Sequence, residues 1–334
     1  MGDRPGRKYT APVAHAEYWS GRRVLVTGGA GFVGRTVLRE LDALGADKVT
    51  APTSAECDLT APDQVSRLFD SADPELIIHL AARVGGIGAN RERPADLYLA
   101  NLLMGTYVID EARRRETPKT VVVGTICSYP KFTPVPFQET SLWDGYPEET
   151  NAPYGIAKKA LLVQAQANRA QYGQNAVYVM PTNLYGPGDK FHQAVSHVIP
   201  ALIKKFVEAK ERADAEVVVW GTGSATREFL YVDDAARGIL LAAEHYDDAE
   251  PLNLGSGEEL PIRDLATMVA KFVGYNGDIV WDSTKPDGQP RRQLDTKRAE
   301  ELIGFRAATS FEDGLRTTVE WYLAHREEAE ARSS

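Results

Sequence analysis

Tyr154 and Lys158 stand four residues apart in NAPYGIAKK. On a helix that spacing puts a phenol and an ammonium on one face. Asn151 can cap such a helix, and its first turn tolerates Pro153. An ordinary phenol, with a pKa near 10, is a poor proton-transfer group at neutral pH. A cation ~4 Å away at an effective dielectric of ~20 contributes about 4 kcal/mol, roughly 3 pKa units, and brings the phenol near 7. There a general acid or base works best. The plain alternative is a Tyr–Lys pair of the kind that recurs by chance on amphipathic helices. Upstream, the apolar run Val121–Val123 leads into GTICSYP, where Thr125 offers a hydroxyl and Cys127 a thiol. Cys127 is either a small buried hydrophobe or a base whose protonation changes near neutral pH. His197, in SHVIP, is either a helix-start histidine bonded to backbone or a proton carrier.

A second constellation lies near the N-terminus. RRVLVTGGAGFVG reads as strand, glycine turn and helix start. Gly29, Gly31 and Gly34 give G-x-G-x-x-G, whereas Gly28, Gly31 and Gly34 give G-x-x-G-x-x-G. Either pattern lets the backbone turn tightly and approach a pyrophosphate, which then rests on the helix N-terminus. A site for NAD usually carries Asp or Glu at the end of the second strand to hold the ribose 2′-hydroxyl. That strand here ends Val49-Thr50-Ala51-Pro52-Thr53-Ser54, with neither an acid nor an arginine for a 2′-phosphate. The missing repulsion favours NADP(H) and leaves NAD(H) possible.

Several elements must carry these groups. Strand-like runs DKVTA, ELIIHLA, KTVVVGT, NAVYVM and EVVVW alternate with helical stretches at Thr36–Leu44, Asp63–Phe69, Leu97–Arg114, Tyr154–Ala170 and His197–Ala209. That alternation predicts an α/β fold of Rossmann type, a doubly wound parallel sheet with helices on both faces. Residues 1–20 read as an irregular leader and 21–180 as a dinucleotide-binding domain, to which about 217–256 return. Residues 181–330 read mainly as a smaller mixed α/β substrate-binding lobe. Ligands in such sheets sit beyond the carboxyl ends of the strands. The formal net charge of −9 argues against nucleic acid as a partner. No apolar run reaches the ~20 residues of a membrane helix. Two cysteines, Cys57 and Cys127, exclude a disulfide scaffold and fit a cytoplasmic setting. No Cys/His spacing resembles a metal site.

Together these residues resemble the extended short-chain dehydrogenase/reductases that modify nucleotide sugars. The resemblance runs from about Arg22 to Leu323 and includes HLAA (His79–Ala82), PTNLYGP (Pro181–Pro187), REFLYVDD (Arg227–Asp234) and NLGSG (Asn253–Gly257). Within that group ARVGGIGAN, CSYPK, MPTNLYGPGDKFH, SHVIPAL and KPDGQPR look closest to the GDP-L-fucose synthases. Membership implies a homodimeric 3,5-epimerase and 4-reductase that acts on GDP-4-keto-6-deoxy-D-mannose with NADPH. The resemblance makes Cys127 the base and His197 the acid of epimerisation, with Thr125, Tyr154 and Lys158 serving the reduction. It assigns the cofactor to Gly28, Gly31, Phe32, Val33, Gly34, Asp58, Leu59, Leu80, Ala81, Ala82, Tyr154, Lys158, Pro181, Asn183 and Leu184. It assigns the GDP-sugar to Val84, Gly85, Asn183, His192, Val198, Lys205, Trp220, Arg227 and Lys285, with Lys204 and Arg291 as lesser candidates for its diphosphate.

The chain also departs from the pattern. Thr125 stands where fucose synthases commonly carry serine, and Gly29-Ala30 replaces a His-Arg pair in the glycine turn. Ser54 lies where an arginine would grip a 2′-phosphate. With a tightly held NAD the same residues would make a redox-neutral epimerase of GDP-mannose 3,5-epimerase type. A 4-ketoreductase of another nucleotide deoxysugar and a silent nucleotide sensor are further alternatives. Dehydration is not expected, because sugar-nucleotide 4,6-dehydratases carry Thr-Asp-Glu where this chain has Thr125-Ile126-Cys127.

Overall fold

Val24–Val26, Leu76–Ile78, Val121–Val122 and Val177–Val179 are uninterrupted apolar runs too short for helices, and each is sealed from solvent. Such runs suit parallel strands covered on both faces. The computed structural model of the protein describes residues 15–191, 196–285 and 287–331. Its first half runs α1 (Ala16–Trp19), β1 (Arg23–Thr27), α2 (Phe32–Ala43), β2 (Lys48–Thr50), α3 (Pro62–Ala72), β3 (Leu76–His79), α4 (Ile87–Glu92), α5 (Pro94–Arg114), β4 (Lys119–Val123), α6 (Ala152–Tyr172) and β5 (Ala176–Pro181). The second half adds β6 (Asn183–Tyr185), α7 (Val198–Arg212), β7 (Glu216–Trp220), β8 (Thr226–Tyr231), α8 (Val232–His245), β9 (Leu252–Leu254), β10 (Glu259–Pro261), α9 (Ile262–Val273), β11 (Asp278–Asp282), α10 (Lys297–Ile303) and α11 (Phe311–Ala324).

Among the described residues the large sheet has the order β2-β1-β3-β4-β5-β9, parallel throughout. The chain leaves β1 towards β2 and then returns to β3 on the other side, so the strand order reverses beside β1. That switch point is where doubly wound sheets bind nucleotides. A smaller lobe follows. It contains the sheet β10-β8-β6 and the pair β11-β7, over a core of Phe206, Val207, Leu265, Val269, Leu315 and Tyr322.

The structure corrects the sequence reading in two places. EVVVW does not rejoin the large sheet: β7 pairs in parallel with β11, whereas β9 does rejoin. Its burial alternates, as befits a ribbon covered on one face only. The expected leader is helical at Ala16–Trp19, because Trp19 is fully buried in the main core. His15 ties that helix to the end of α8, its backbone N–H donating to Glu244 Oε2 at 2.9 Å. With His245 these side chains form a group whose ligand atoms all lie within 4.8 Å, a meeting that no local spacing announces.

Candidate active site

The glycine turn connects β1 to α2. Gly28 has φ +77°, and a Cβ there would stand 2.7 Å from the Ala81 nitrogen. A Cβ on Gly34 would stand 2.1 Å from the Gly28 oxygen. The left-handed residue is therefore Gly28, and Gly34 lets α2 close onto the turn. Gly31 is the N-cap of α2, whose first-turn N–H groups face the switch point. Asp58 holds Thr60 through its carboxylate, at 2.9 Å to the nitrogen and 2.7 Å to the hydroxyl, which keeps it below the usual carboxylate range. The charge of Arg83 reaches it too, so the Asp58-Leu59 loop and the segment after β3 converge. Those features fit a dinucleotide, since side chains in the turn would fill the space a pyrophosphate needs.

At the end of β4, Thr125 begins a 3-10 turn over Ile126–Ser128, its hydroxyl accepting the Cys127 N–H at 3.2 Å. The start of α6 is docked against that turn. Ser128 donates to the Gly155 carbonyl at 2.9 Å, and Tyr178 donates to the Lys158 carbonyl at 2.8 Å. A Cβ on Gly155 would lie 2.3 Å from the Cys127 oxygen. Gly155→Ala must therefore push α6 away from the thiol-bearing turn, and misplacements near 1 Å cost about 10²-fold in rate. Both half-reactions that the family resemblance implies, epimerisation and reduction, are expected to fall by that order, measured separately by solvent deuterium uptake and by NADPH oxidation. Asn151 begins α6 as expected but makes no capping bond with its side chain, which turns instead to Glu148 at 2.9 Å.

The Tyr154 phenol keeps part of its surface open to the cleft, although the walls around it are crowded. Burial raises it above the ordinary tyrosine range, a negative charge on Cys127 would raise it further, and the nearby Thr125 hydroxyl works the other way. This overturns the expectation that Lys158 brings the phenol near neutrality. The lysine is itself pushed down to about 8 by burial and makes no ion pair with a described residue. Its charge is felt instead at His79, the last residue of β3. His79 is held neutral, down to about 3, by burial and then by Lys158. Its Nδ1 lies 2.7 Å from the Thr27 hydroxyl, and Nε2 has no partner among the described residues. Lys158 therefore sits between the phenol's helix and the strand ends beside the glycine turn, where a ribose would meet it.

Cys127 is half-buried and free. Arg292 donates to its sulfur at 3.7 Å, and a charge on that sulfur would act on Arg227 as well. Arg227 donates to the carbonyls of Thr226 and Asp287 at 2.7 and 3.1 Å, and burial followed by the charge of Arg292 lowers it to about 10. Two guanidiniums thus crowd one wall of the cleft without an ion pair to a described carboxylate, in a protein of formal net charge −9. That is a local demand for an anion. Trp220 has 67% of its surface exposed, with the Lys285 ammonium 5.5 Å from its ring centre. Lys205 donates to the Val218 carbonyl. Asn183 spends its amide on the Glu228 carbonyl at 2.8 Å.

Two lesser candidates fall away. Lys204 pairs with Glu208 and Glu330, and Arg291 with Glu259, so neither is free for a diphosphate. His197 caps α7 in the smaller lobe and is exposed at its surface, while crowding by neighbouring atoms lowers it below the usual histidine range, with Lys190 adding to the effect. No hydrogen bond joins it to Cys127 or Tyr154 among the described residues. His192 lies outside the described residues. Val84 is 44% exposed, and its loop is no loose turn: Asn101 Oδ1 accepts the Arg83 N–H at 3.0 Å, and Asn90 donates to the Gly85 carbonyl at 2.8 Å. The sequence reading missed Asn90, Asn101, Gly155 and Arg292. Only the tandem Arg291-Arg292 offered a signal for the last.

Comparison with known proteins adds the chemistry. The NAD dependent epimerase/dehydratase family matches residues 24–255. The "Probable GDP-L-fucose synthase 1" of Oryza sativa subsp. japonica is 45% identical over 312 residues, covering 92% of this chain and 95% of that protein. The GDP-L-fucose synthase of Escherichia coli strain K12 is 39% identical, covering 92% and 98%. The crystal structure of a GDP-L-fucose synthetase from Naegleria fowleri bound to NADP superposes with a TM-score of 0.85 at 29% identity, covering 93% and 97%.

Proposed function

We infer what this protein does from one premise: the chain belongs to the NAD-dependent epimerase/dehydratase family and, within it, to the GDP-L-fucose synthases. It is an NADP(H)-dependent enzyme that converts GDP-4-keto-6-deoxy-D-mannose to GDP-L-fucose by epimerisation and reduction. The observation that carries the residue assignment is the meeting of Thr125, Cys127, Tyr154 and two arginines at one strand end.

Gly28, Gly31 and Gly34, with Phe32 and Val33 in the first turn of α2, would hold the pyrophosphate of the cofactor. Asp58, Leu59 and Leu80–Ala82 would line its adenosine end, and Lys158, Pro181, Asn183 and Leu184 its nicotinamide end. When bound, the nicotinamide supplies a hydride to C4 of the sugar. The C4 ketone acidifies the protons on C3 and C5. Cys127 takes each proton, the C–H electron pair moves onto the C4 oxygen, and His197 returns a proton to the opposite face. Tyr154, held protonated by burial, then gives its proton to the C4 oxygen. Arg227 meets the diphosphate, since a planar fork suits two oxygens better than an ammonium does. Trp220, Lys285, Lys205 and Val198 line the nucleotide side, and Val84, Gly85 and Asn183 the sugar side.

The test is turnover of GDP-4-keto-6-deoxy-D-mannose in deuterium oxide with NADPH. Wild type should incorporate deuterium at C3 and C5. Cys127→Ser should lose at least ~10²-fold of that uptake while still reducing a substrate already epimerised. Uptake undiminished in the serine variant would remove the thiol from the reaction.

A homodimer is part of the same reading. Ala157 and Leu161 of α6 are fully buried within their own chain, so they cannot form its face. Leu99 and Val163, 53% and 48% exposed on α5 and α6, supply the outward apolar surface. No helix among the described residues is long and apolar enough to cross a membrane, and the two free cysteines fit the cytoplasm.

A further inference from the structure

Arg292 is almost completely enclosed, 8% exposed, at the end of the KPDGQPRR segment. Burying a guanidinium is costly unless its N–H groups find acceptors. Each part of this residue is fixed. Its carbonyl accepts the Glu228 N–H of β8 at 3.0 Å, and its Nε donates to Gln289 Oε1 at 2.7 Å. Gln289 in turn donates to the Lys131 carbonyl at 2.7 Å, just past the CSYP turn. One terminal nitrogen then reaches Cys127 Sγ at 3.7 Å, within the range of a hydrogen bond to sulfur. No carboxylate pairs with this guanidinium among the described residues.

We propose that Arg292 is a positioning residue for the epimerisation, aiming the Cys127 sulfur and stabilising the negative charge it carries before it takes a proton. The inference rests on the assignment of Cys127 as the base. In that step the sugar C–H bond breaks, the S–H bond forms, and the electron pair passes to the C4 oxygen. The charge on sulfur is cancelled as the proton arrives, so the guanidinium stabilises the base beforehand and fixes its direction of attack. It plays no part in hydride delivery, whose proton comes from Tyr154. Arg227 is the second guanidinium near the sulfur, close enough that a charge on Cys127 would act on it.

The experiment compares wild type, Cys127→Ser, Arg292→Gln and Arg292→Lys. Deuterium uptake at C3 and C5 and hydride transfer to the pre-epimerised 4-keto sugar are measured separately in single turnovers. A hydrogen bond to a charged group is worth about one to two factors of ten. Arg292→Gln should therefore lower uptake about 10–100-fold, at least ~10-fold more than it lowers hydride transfer. Arg292→Lys should recover a good part of the uptake by restoring the charge without the fork. Alkylation of Cys127 by iodoacetamide at pH 7, without substrate or cofactor and with buried Cys57 as internal reference, should slow about 10-fold in Arg292→Gln and recover in Arg292→Lys. Equal loss of both half-reactions, or an unchanged alkylation rate, overturns the proposal. Wild type failing to take up deuterium, or Cys127→Ser taking it up normally, sinks the underlying assignment of the thiol instead.

Discussion

Tyr154→Phe is expected to slow hydride transfer to the pre-epimerised 4-keto sugar by about 10²–10⁴-fold, the ordinary contribution of a positioned acid. Deuterium uptake at C3 and C5 should stay within about 5-fold of wild type. Burial holds Tyr154 above the ordinary tyrosine range, and nothing in the cleft brings it to neutrality. A phenol in that state is a proton donor throughout the working pH, which suits reduction: the C4 oxygen gains negative charge as the hydride arrives and needs a proton at once. No prior ionisation of the tyrosine is required. The rate of hydride transfer should accordingly show no rise attributable to phenolate formation between pH 6 and 9. Phenylalanine keeps the ring and its packing in the first turn of α6, so a fall in melting temperature of more than a few degrees would point to a structural role. Single-turnover NADPH oxidation by the variant within about 5-fold of wild type would mean that the proton comes from elsewhere.

The contrast between what local patterns announced and what they hid has a physical pattern of its own. The glycine turn, the alternating elements and the parallel sheet follow from short-range rules: apolar runs buried on both faces, and a backbone that must bend where Gly28 bends. Tyr154 and Cys127 were legible for the same reason, each lying within a few residues of an element boundary. Arg292 was not, because its partner sulfur lies 165 residues away in the chain, and the Gln289–Lys131 bond that helps hold the two segments together is as remote in sequence. Nor was the place of Lys158. Helical spacing set its face correctly, yet which neighbour it addresses depends on β3, whose His79 arrives from another part of the sheet. β7 misled because EVVVW satisfies the rules for a strand without saying which sheet will accept it, and only β11, some 60 residues on, decides that.

Lys158→Met should make the ligand-free protein more stable while removing most of its activity. The side chain is 2% exposed, unpaired among the described residues, and lowered by burial from 10.5 to about 8. In the unfolded chain the same lysine keeps its proton to about 10.4. Between those two values the unfolded state binds more protons than the folded one, so stability rises with pH across that window and the full penalty applies below it. A displacement of this size corresponds to about 3 kcal/mol. Methionine fills a similar volume without a charge, so it should recover a large part of that figure below pH 8 and abolish the rise between about 8 and 10. Thermal melts of the ligand-free variant and wild type across pH 7–10 read both effects directly. Turnover should fall by at least ~10²-fold, because in the function proposed above the buried ammonium would meet the cofactor's ribose and orient it towards Tyr154. NADPH should also raise the melting temperature of the variant less than that of wild type, since binding to the folded state stabilises in proportion to affinity. A charge retained against its own folding cost makes sense only if a ligand repays it on binding. A variant that melts below wild type at pH 7, with NADPH stabilising both proteins equally, would show that the lysine belongs to the scaffold and not to the site.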